Sequence, residues 1–366
     1  MTASTSLDGT ELLGFPVSIK EIDQRLTEVI SGGSDGGEDS GVTRASLMNL
    51  ALYSERPEQL TENAETIAEI TREAACRTIL ICVDPAEKVS SAKAWVQAHC
   101  QSDKHGNKSV CSEQISFFLT GTSPGLVNNI VFSHLDSDLP LVFWWRGEFS
   151  DAFGDELYSR IDRFIFDSEA WANPRNQFVR LSDACKSGRA QFLYHDLAYT
   201  RLNTHRQAIA NVFDIPALRN QVSQIEGMKI RYPKGRRMSA IYLSAWLAQR
   251  LNGVLERGMS SSGHYVFRSS KPGFPNEITV STEEVDSPDF AAAIKVGDQL
   301  VELTRCEERD YLRTKIIDGT SGDSTEDWLP NPRKNDAELV TQILERGGKN
   351  RSLSKIVEGV GEMLTV

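Results

Sequence analysis

The stretch DLPLVFWWRG, residues 138–147, carries an unbroken apolar run between Asp138 and Arg146 and reads as a buried β-strand. Four further segments have the same character: ASLMNLALYS (45–54), RTILICVD (77–84), CSEQISFFLTG (111–121) and RFIFDS (163–168). Between them lie stretches with helical spacing of apolar residues, at 60–75, 88–100, 122–135, 151–160 and 174–188. Strands joined by helical crossovers favour a mostly parallel sheet covered on both faces. The expected fold class is therefore α/β, with an open, mostly parallel sheet and helical crossovers.

A last helix at 203–214 (NTHRQAIANVFD) closes this domain near residue 216. Beyond it the pattern changes. A strand pair near 222–232 and a helix at 238–251 precede HYVFRS (264–269), EITVST (277–282), QLVELTR (299–305) and LRTKII (312–317). Helices at 336–346 and 353–364 finish the chain. Adjacent β runs favour antiparallel pairing, so a smaller α+β domain is expected over 217–366 after an α/β domain over 44–216.

Residues 1–43 stand apart. VSIKEIDQRLTEVI (17–30) places Ile19, Ile22, Leu26 and Val29 at helical spacing, with Ser18 and Glu21 as a capping box. SGGSDGGEDSG (31–41) has no apolar residues to offset the entropy of ordering and is expected to act as a flexible acidic tether.

The 366 residues exceed the usual size of one domain and can bury a core without staples. A formal charge of -11 works against capture of nucleic acid or anionic lipid. There is no apolar run long enough to span a bilayer, and the N-terminus lacks a basic and apolar leader, so a cytoplasmic protein is expected. Six cysteines without a C-x-x-C pair suit reduced thiols whose role is packing.

The loops hold little chemistry. Neither G-x-G-x-x-G nor a P-loop follows any strand, and GTSPG (121–125) reads as a helix cap with Pro124 at its first position. GMSSSGHY (258–265) lacks the G-x-S-x-G elbow of a serine nucleophile. His99, Cys100, His105 and Cys111 match no familiar zinc spacing. No catalytic residue, cofactor or metal site is singled out. Lys234, Arg236 and Arg237 stand together before an apolar helix in an acidic chain, either as an anion grip or as a solvated loop. Asp196, Arg201, His205 and Arg206 form either a site or an ion-paired helix start.

Taken together, RASLMNLALYS, CRTILICVD, CSEQISF, DLPLVFWWRG and DLAYTRLNTHRQAIANVFD (196–214) resemble, in order and spacing, the OpcA family of glucose-6-phosphate dehydrogenase assembly proteins. That family has a leucine-proline strand ending in Trp-Trp and an Asp-Leu-x-aromatic-x-Arg-Leu-x-x-x-Arg segment. Here the second motif falls on Asp196, Leu197, Tyr199, Arg201, Leu202 and Arg206. The resemblance is good over 17–214 and weaker beyond. It implies a non-enzymatic assembly factor and allosteric activator that binds glucose-6-phosphate dehydrogenase in the oxidative pentose phosphate pathway, leaving the NADP chemistry to that partner. An α/β enzyme or sensor with its own sugar-phosphate or nucleotide site is the alternative, and homo-oligomerisation is a further possibility.

Aromatic and arginine anchors dominate protein interfaces, so Trp144, Trp145, Arg146, Tyr199, Arg201 and Arg206 are the candidate partner-binding residues. Neighbouring strand side chains face opposite ways, so at least one tryptophan of the pair is expected in the core, leaving the other, with Arg146, to shape a loop or meet a partner. Photosynthetic members are associated with thioredoxin control through cysteines towards the C-terminal end; this chain has only Cys306 there.

Overall fold

The computed structural model describes residues 10–32, 41–44, 46–102, 108–121, 124–188, 190–306, 309–346 and 351–366. The chain divides into two compact units. The first comprises residues 1–170, 180–194 and 335–348, and the second 171–179, 195–334 and 349–366.

In the first unit the elements run β1 (Phe15–Val17), α1 (Ile22–Gly32), β2 (Gly41–Arg44), β3 (Asn49–Ser54), α2 (Leu60–Glu73), β4 (Arg77–Asp84), β5 (Ser91–Ser102) and β6 (Lys108–Thr120). Then come α3 (Pro124–Ser133), β7 (Leu141–Arg146), α4 (Asp155–Tyr158), β8 (Arg163–Phe166), α5 (Pro174–Lys186) and β9 (Leu193–Asp196). The division between the units passes through α5 and β9. The strands form one sheet in the order β1-β5-β6-β4-β3-β7-β8-β9, with β2 pairing β6.

Along β6-β4-β3-β7-β8 every pair is parallel. β3 and β7 lie inside it, and their side chains are buried on both faces, which explains why NLALYS and LVFWW are continuous apolar runs rather than alternating ones. Asn49 fixes the start of β7: its side chain donates to the carbonyls of Asp136 at 2.8 Å and Leu139 at 3.0 Å, and accepts from the Asp136 amide at 3.0 Å.

Three expectations fail in this unit. The crossover expected as a helix at 88–100 is largely strand β5, paired antiparallel with β6 over 91–102. Its small residues, with Trp95 and Val96, fit either period, and the long partner strand decides between them. Ser18 makes no side-chain cap; a 3-10 turn at Ile19–Glu21 leads into α1, with the Glu21 amide bonded to the Ser18 carbonyl instead. Cys100 and Cys111, directly opposite on β5 and β6, form a disulfide. Cross-strand pairing brings their Cα atoms to 4.0 Å, so these two thiols are not reduced packing residues. Most of the expected tether, 33–40, lies outside the described residues.

The second unit begins with α6 (Leu197–Arg201), α7 (Asn203–Asp214) and α8 (Pro216–Arg219), then β10 (Ile225–Pro233) and α9 (Arg237–Arg250). β11 (Val254–Leu255), β12 (His264–Arg268), β13 (Glu277–Val285), β14 (Ala291–Val296), β15 (Gln299–Arg305), β16 (Tyr311–Asp318) and β17 (Ser324–Pro330) follow. α10 (Asp336–Glu345) belongs to the first unit, and α11 (Arg351–Met363) to the second. The eight-stranded sheet runs β11-β12-β13-β10-β14-β15-β16-β17 and is antiparallel except for the β10–β13 pair. One face packs on α9 and α7, where Met228, Ile230, Val280, Ile294 and Leu303 are buried. The other face alternates with it and is polar.

Among the described residues no helix is long and apolar enough to cross a membrane.

Candidate functional site

A sheet of this kind changes direction of winding between β3 and β7, and open α/β sheets bind ligands beyond the carboxyl ends of the strands at that point. Here β3 ends at Ser54 and the chain continues as Glu55, Arg56 and Pro57. The Tyr53 hydroxyl donates to Glu55 Oε1 at 2.7 Å, and the Ser150 hydroxyl donates to the same oxygen. A pyrophosphate is held at such a point by glycine-rich backbone and a free helix N-terminus. In this chain the point carries a carboxylate held by two hydroxyls, and α2 is preceded by a 3-10 turn containing Glu58.

β7 delivers the Trp-Trp-Arg sequence to the same edge. Both tryptophans are buried, each 1% exposed, so both belong to the core and neither side chain is left at the surface to meet a partner; of the two expected roles for the second one, shaping a loop is the one the structure shows, in Trp145. They face opposite sides of the sheet, and both sides are covered. Trp145 joins an aromatic cluster, 4.4 Å from Tyr53 and 5.8 Å from both Phe149 and Phe153 between ring centres. Gly147 takes φ 103, a left-handed conformation that turns the chain so that the Glu148 carbonyl accepts from Trp145 Nε1 at 3.0 Å. Trp144 lies on the other side, with the Arg146 guanidinium 5.4 Å from its ring centre.

Arg146 is 14% exposed and held by its own chain. It donates to Asn63 Oδ1, to Glu62 Oε1 at 2.9 Å and to Asp336 Oδ2 at 3.4 Å. α10 is thus tied to α2, with Asn335 capping α10 and donating to Glu69 Oε2 at 2.9 Å. A cleft of about 390 Å³ between these helices is lined by Glu62, Glu65, Glu69 and Asp336 beside Arg146. Its acidity repels phosphate, and Arg146 within it is already neutralised.

The second motif builds the interior of the other unit. Asp196 is buried, accepts from the Ala198 amide at 2.8 Å to cap α6, and accepts from the Tyr242 hydroxyl on α9 at 2.8 Å. Tyr199 is buried beneath Arg206, whose guanidinium stands 3.5 Å from the ring centre and donates to the Tyr199 carbonyl and to Asn203. Tyr199 is therefore no surface anchor, and Arg206 acts locally. Arg201 ends α6 half-buried. His205 is buried against the edge of Phe290, with ring centres 5.2 Å apart. Burial, assisted by Arg206 and Arg305, pushes its pKa down to about 4.

Lys234 and Arg237 are exposed and Arg236 is half-buried, in the turn between β10 and α9; Arg237 donates to the Ser262 hydroxyl at 3.2 Å. Burial pushes the thiols of Cys76 and Cys82 up to about 12, which suppresses their thiolates; Glu58 and Asp84 add to the effect at Cys82. Among the described residues no group of three His, Cys, Asp or Glu is placed to hold a metal. His99 bonds to Gln114 at 2.7 Å, and His105 lies outside the described residues.

The structure thus separates the residues that the sequence grouped: the Trp-Trp-Arg stretch belongs to one unit, and both the 196–206 motif and the basic turn to the other. No local sequence pattern marks the Glu55–Tyr53–Ser150 contact or the return of α10 to the first unit.

The profile of the glucose-6-phosphate dehydrogenase subunit N-terminal domain matches residues 67–183, and that of the C-terminal domain of the same subunit matches 193–356. The chain belongs to the OpcA family. This OpcA-family chain is 27% identical over 265 residues to the OxPP cycle protein OpcA of Synechocystis sp., covering 71% of this chain and 54% of that one. It is 27% identical over 202 residues to the protein of the same name from Nostoc punctiforme, covering 54% and 42%. The chain spans about half the length of the curated relatives it matches. Among solved structures it is similar to a 3-ketoreductase from Actinomadura kijaniata with NADP, at TM-score 0.48 and 9% identity over 87% of this chain and 96% of that one.

Proposed function

We propose that this protein is an accessory subunit of glucose-6-phosphate dehydrogenase, which binds that enzyme, promotes its assembly and raises its activity in the oxidative pentose phosphate pathway. The observation that carries this reading is the succession of two family domains, both described by that dehydrogenase's subunit, over 67–183 and 193–356. The names of the Synechocystis and Nostoc relatives point to the same pathway. The Glu55 carboxylate at the switch point, held by the Tyr53 and Ser150 hydroxyls, would oppose a pyrophosphate there, and this favours an accessory role.

Activation of this kind requires tighter binding to the active form of the dehydrogenase than to the inactive one. A coupling of about 1–3 kcal/mol, roughly 5- to 150-fold in affinity, is ordinary. Titrating the purified protein into its cognate dehydrogenase should lower the apparent KM for glucose 6-phosphate or raise turnover, and the two should co-elute. Unchanged kinetics together with separate elution would refute the proposal.

The strand order, and the cations Lys234, Arg236 and Arg237 in the turn before α9, support a second reading in which the chain holds its own sugar phosphate or nucleotide. A ligand at 100 times its Kd should stabilise the fold by about 2.7 kcal/mol. The absence of a thermal shift with NADP, glucose 6-phosphate and related phosphates would remove that reading.

A further inference from the structure

The eight-stranded sheet of the second unit has one face buried under helices and one face open. The register defines the open face. Ser281, Lys229, Ala293, Glu302, Lys315 and Glu326 are successive Cα partners in one row across β13, β10, β14, β15, β16 and β17. All six are exposed or half-buried, while their sequence neighbours Val280, Met228, Ile294 and Val301 point into the core.

We propose that this open face is the contact between two copies of the chain in a twofold dimer.

Size is the first argument. Six strands about 4.8 Å apart, each contributing about seven residues at ~3.3 Å, present roughly 650 Å² per face, so two faces remove roughly 1,300 Å² or more from water. That meets the ~1,200 Å² at which specific interfaces begin.

Composition is the second. Ala291, Ala293 and Ser281 are small positions set among the charged side chains of Lys229, Lys295 and Glu302, and the cross-strand pair Leu300 and Ile317 lies on the face half-buried. At its rim Trp328 is 42% exposed, with the Arg313 guanidinium 6.0 Å from its ring centre. Trp328 and Arg313 are of the residue types most enriched at protein interfaces, and the small positions let a second surface approach the strands.

Charge selects the occupant. The chain carries a formal -11, so two copies repel wherever acidic surface meets acidic surface. On this face the charges are interleaved and largely cancel: Lys229 pairs with Glu283 at 2.9 Å, Lys295 with Glu226 at 3.2 Å and Arg313 with Glu326 at 3.7 Å. A face of balanced sign is complementary to itself and is where a second copy can approach. An isologous pair closes and leaves no open face to extend.

The test is the mass of the full chain in solution, measured by light scattering and sedimentation over a wide concentration range. The wild type should reach twice the chain mass. Ala293→Arg, placing a charge and bulk at the centre, should weaken the dimer at least about tenfold, or ~1.4 kcal/mol. Trp328→Ala, at an exposed rim position where it leaves the fold undisturbed, should weaken it in the same direction. Val89→Arg, an exposed change in the other unit, should leave it intact. A wild type that stays monomeric throughout, or a dimer indifferent to both Ala293→Arg and Trp328→Ala, overturns the proposal. A monomeric wild type whose Ala293→Arg variant no longer binds the dehydrogenase also overturns it and gives the face to that partner. None of the mass measurements needs the dehydrogenase, so their failure is distinct from failure of the accessory-subunit reading.

Discussion

Acidification should loosen the second unit through His205. This imidazole is buried beside Phe290, and burial, with Arg206 and Arg305 nearby, sets its pKa at about 4 in place of 6.5. The folded form therefore binds its proton less readily than the unfolded chain does. Between those two values the unfolded state carries more protons, so stability is fully present above about pH 6.5 and is lost as pH falls towards 4. A shift of about 2.5 units corresponds to a limiting loss of about 3 kcal/mol, of which about 2 kcal/mol is gone at pH 5.

The assay is urea unfolding of the wild type and of His205→Leu at neutral pH and at pH 5, followed by tryptophan fluorescence and circular dichroism. Other groups titrate in the same window, and His99 and His134 are likewise held below their usual range by burial, so the wild-type profile alone decides nothing. The difference between the two proteins isolates His205. The stability lost on acidification should be about 2 kcal/mol smaller in His205→Leu. If the two units unfold in separate steps, only the step of the unit that holds residue 205 should change. Equal losses in both proteins would refute the assignment of a neutral, buried imidazole.

Trp144→Ala and Trp145→Ala should each destabilise the first unit by about 3–5 kcal/mol, since each removes a fully buried ring, and denaturant midpoints will show whether either is spared. Tyr242→Phe should cost the second unit about 1.5–3 kcal/mol by taking a hydrogen bond from the buried Asp196 carboxylate, measured in the same way. Reduction of the Cys100–Cys111 bond, which closes a loop of separation 11, should lower the stability of the first unit by about 2–3 kcal/mol; an unfolding midpoint unmoved by reductant would count against that bond.

The parallel sheet was legible because β3, β4 and β7 are buried on both faces and so leave continuous apolar runs that no surface element shows. The second sheet was legible only in part: the strand pair expected near 222–232 is a 3-10 turn followed by the single strand β10, whose MKIRYP alternation, after a bulge between Ile225 and Gly227, gives one wet face and one dry. β5 was misread because alanine suits both periods and its strand state is imposed by β6, a tertiary fact. The disulfide is invisible for the same reason: Cys100 and Cys111 are only eleven residues apart in sequence, and the register that sets them opposite each other belongs to the hairpin. Arg146 looked like an anchor because an arginine after two tryptophans is what interfaces favour. The carboxylates that hold it, Glu62 on α2 and Asp336 on α10, lie 84 and 190 residues away.

The residues that carried the family resemblance are largely interior ones, and the physics of burial explains why. A sequence motif is read most easily where several residue types are constrained together. Trp144, Trp145, Asp196 and Tyr199 are constrained because each fills a closed space or satisfies a buried group. Such residues specify a fold and serve a partner only indirectly, by holding the surface in shape. The open sheet face carries alanine, serine, lysine and glutamate, residue types that no motif distinguishes from an ordinary wet surface. Its character emerges only from the register, which aligns Lys229, Ala293, Glu302, Lys315 and Glu326 in a single row. Substitutions in the Trp-Trp-Arg strand should therefore act on stability first, with any loss of activation following from unfolding. Substitutions on the open face should alter association, lowering the unfolding midpoint where the wild type is dimeric and leaving it where it was at concentrations where the wild type is monomeric.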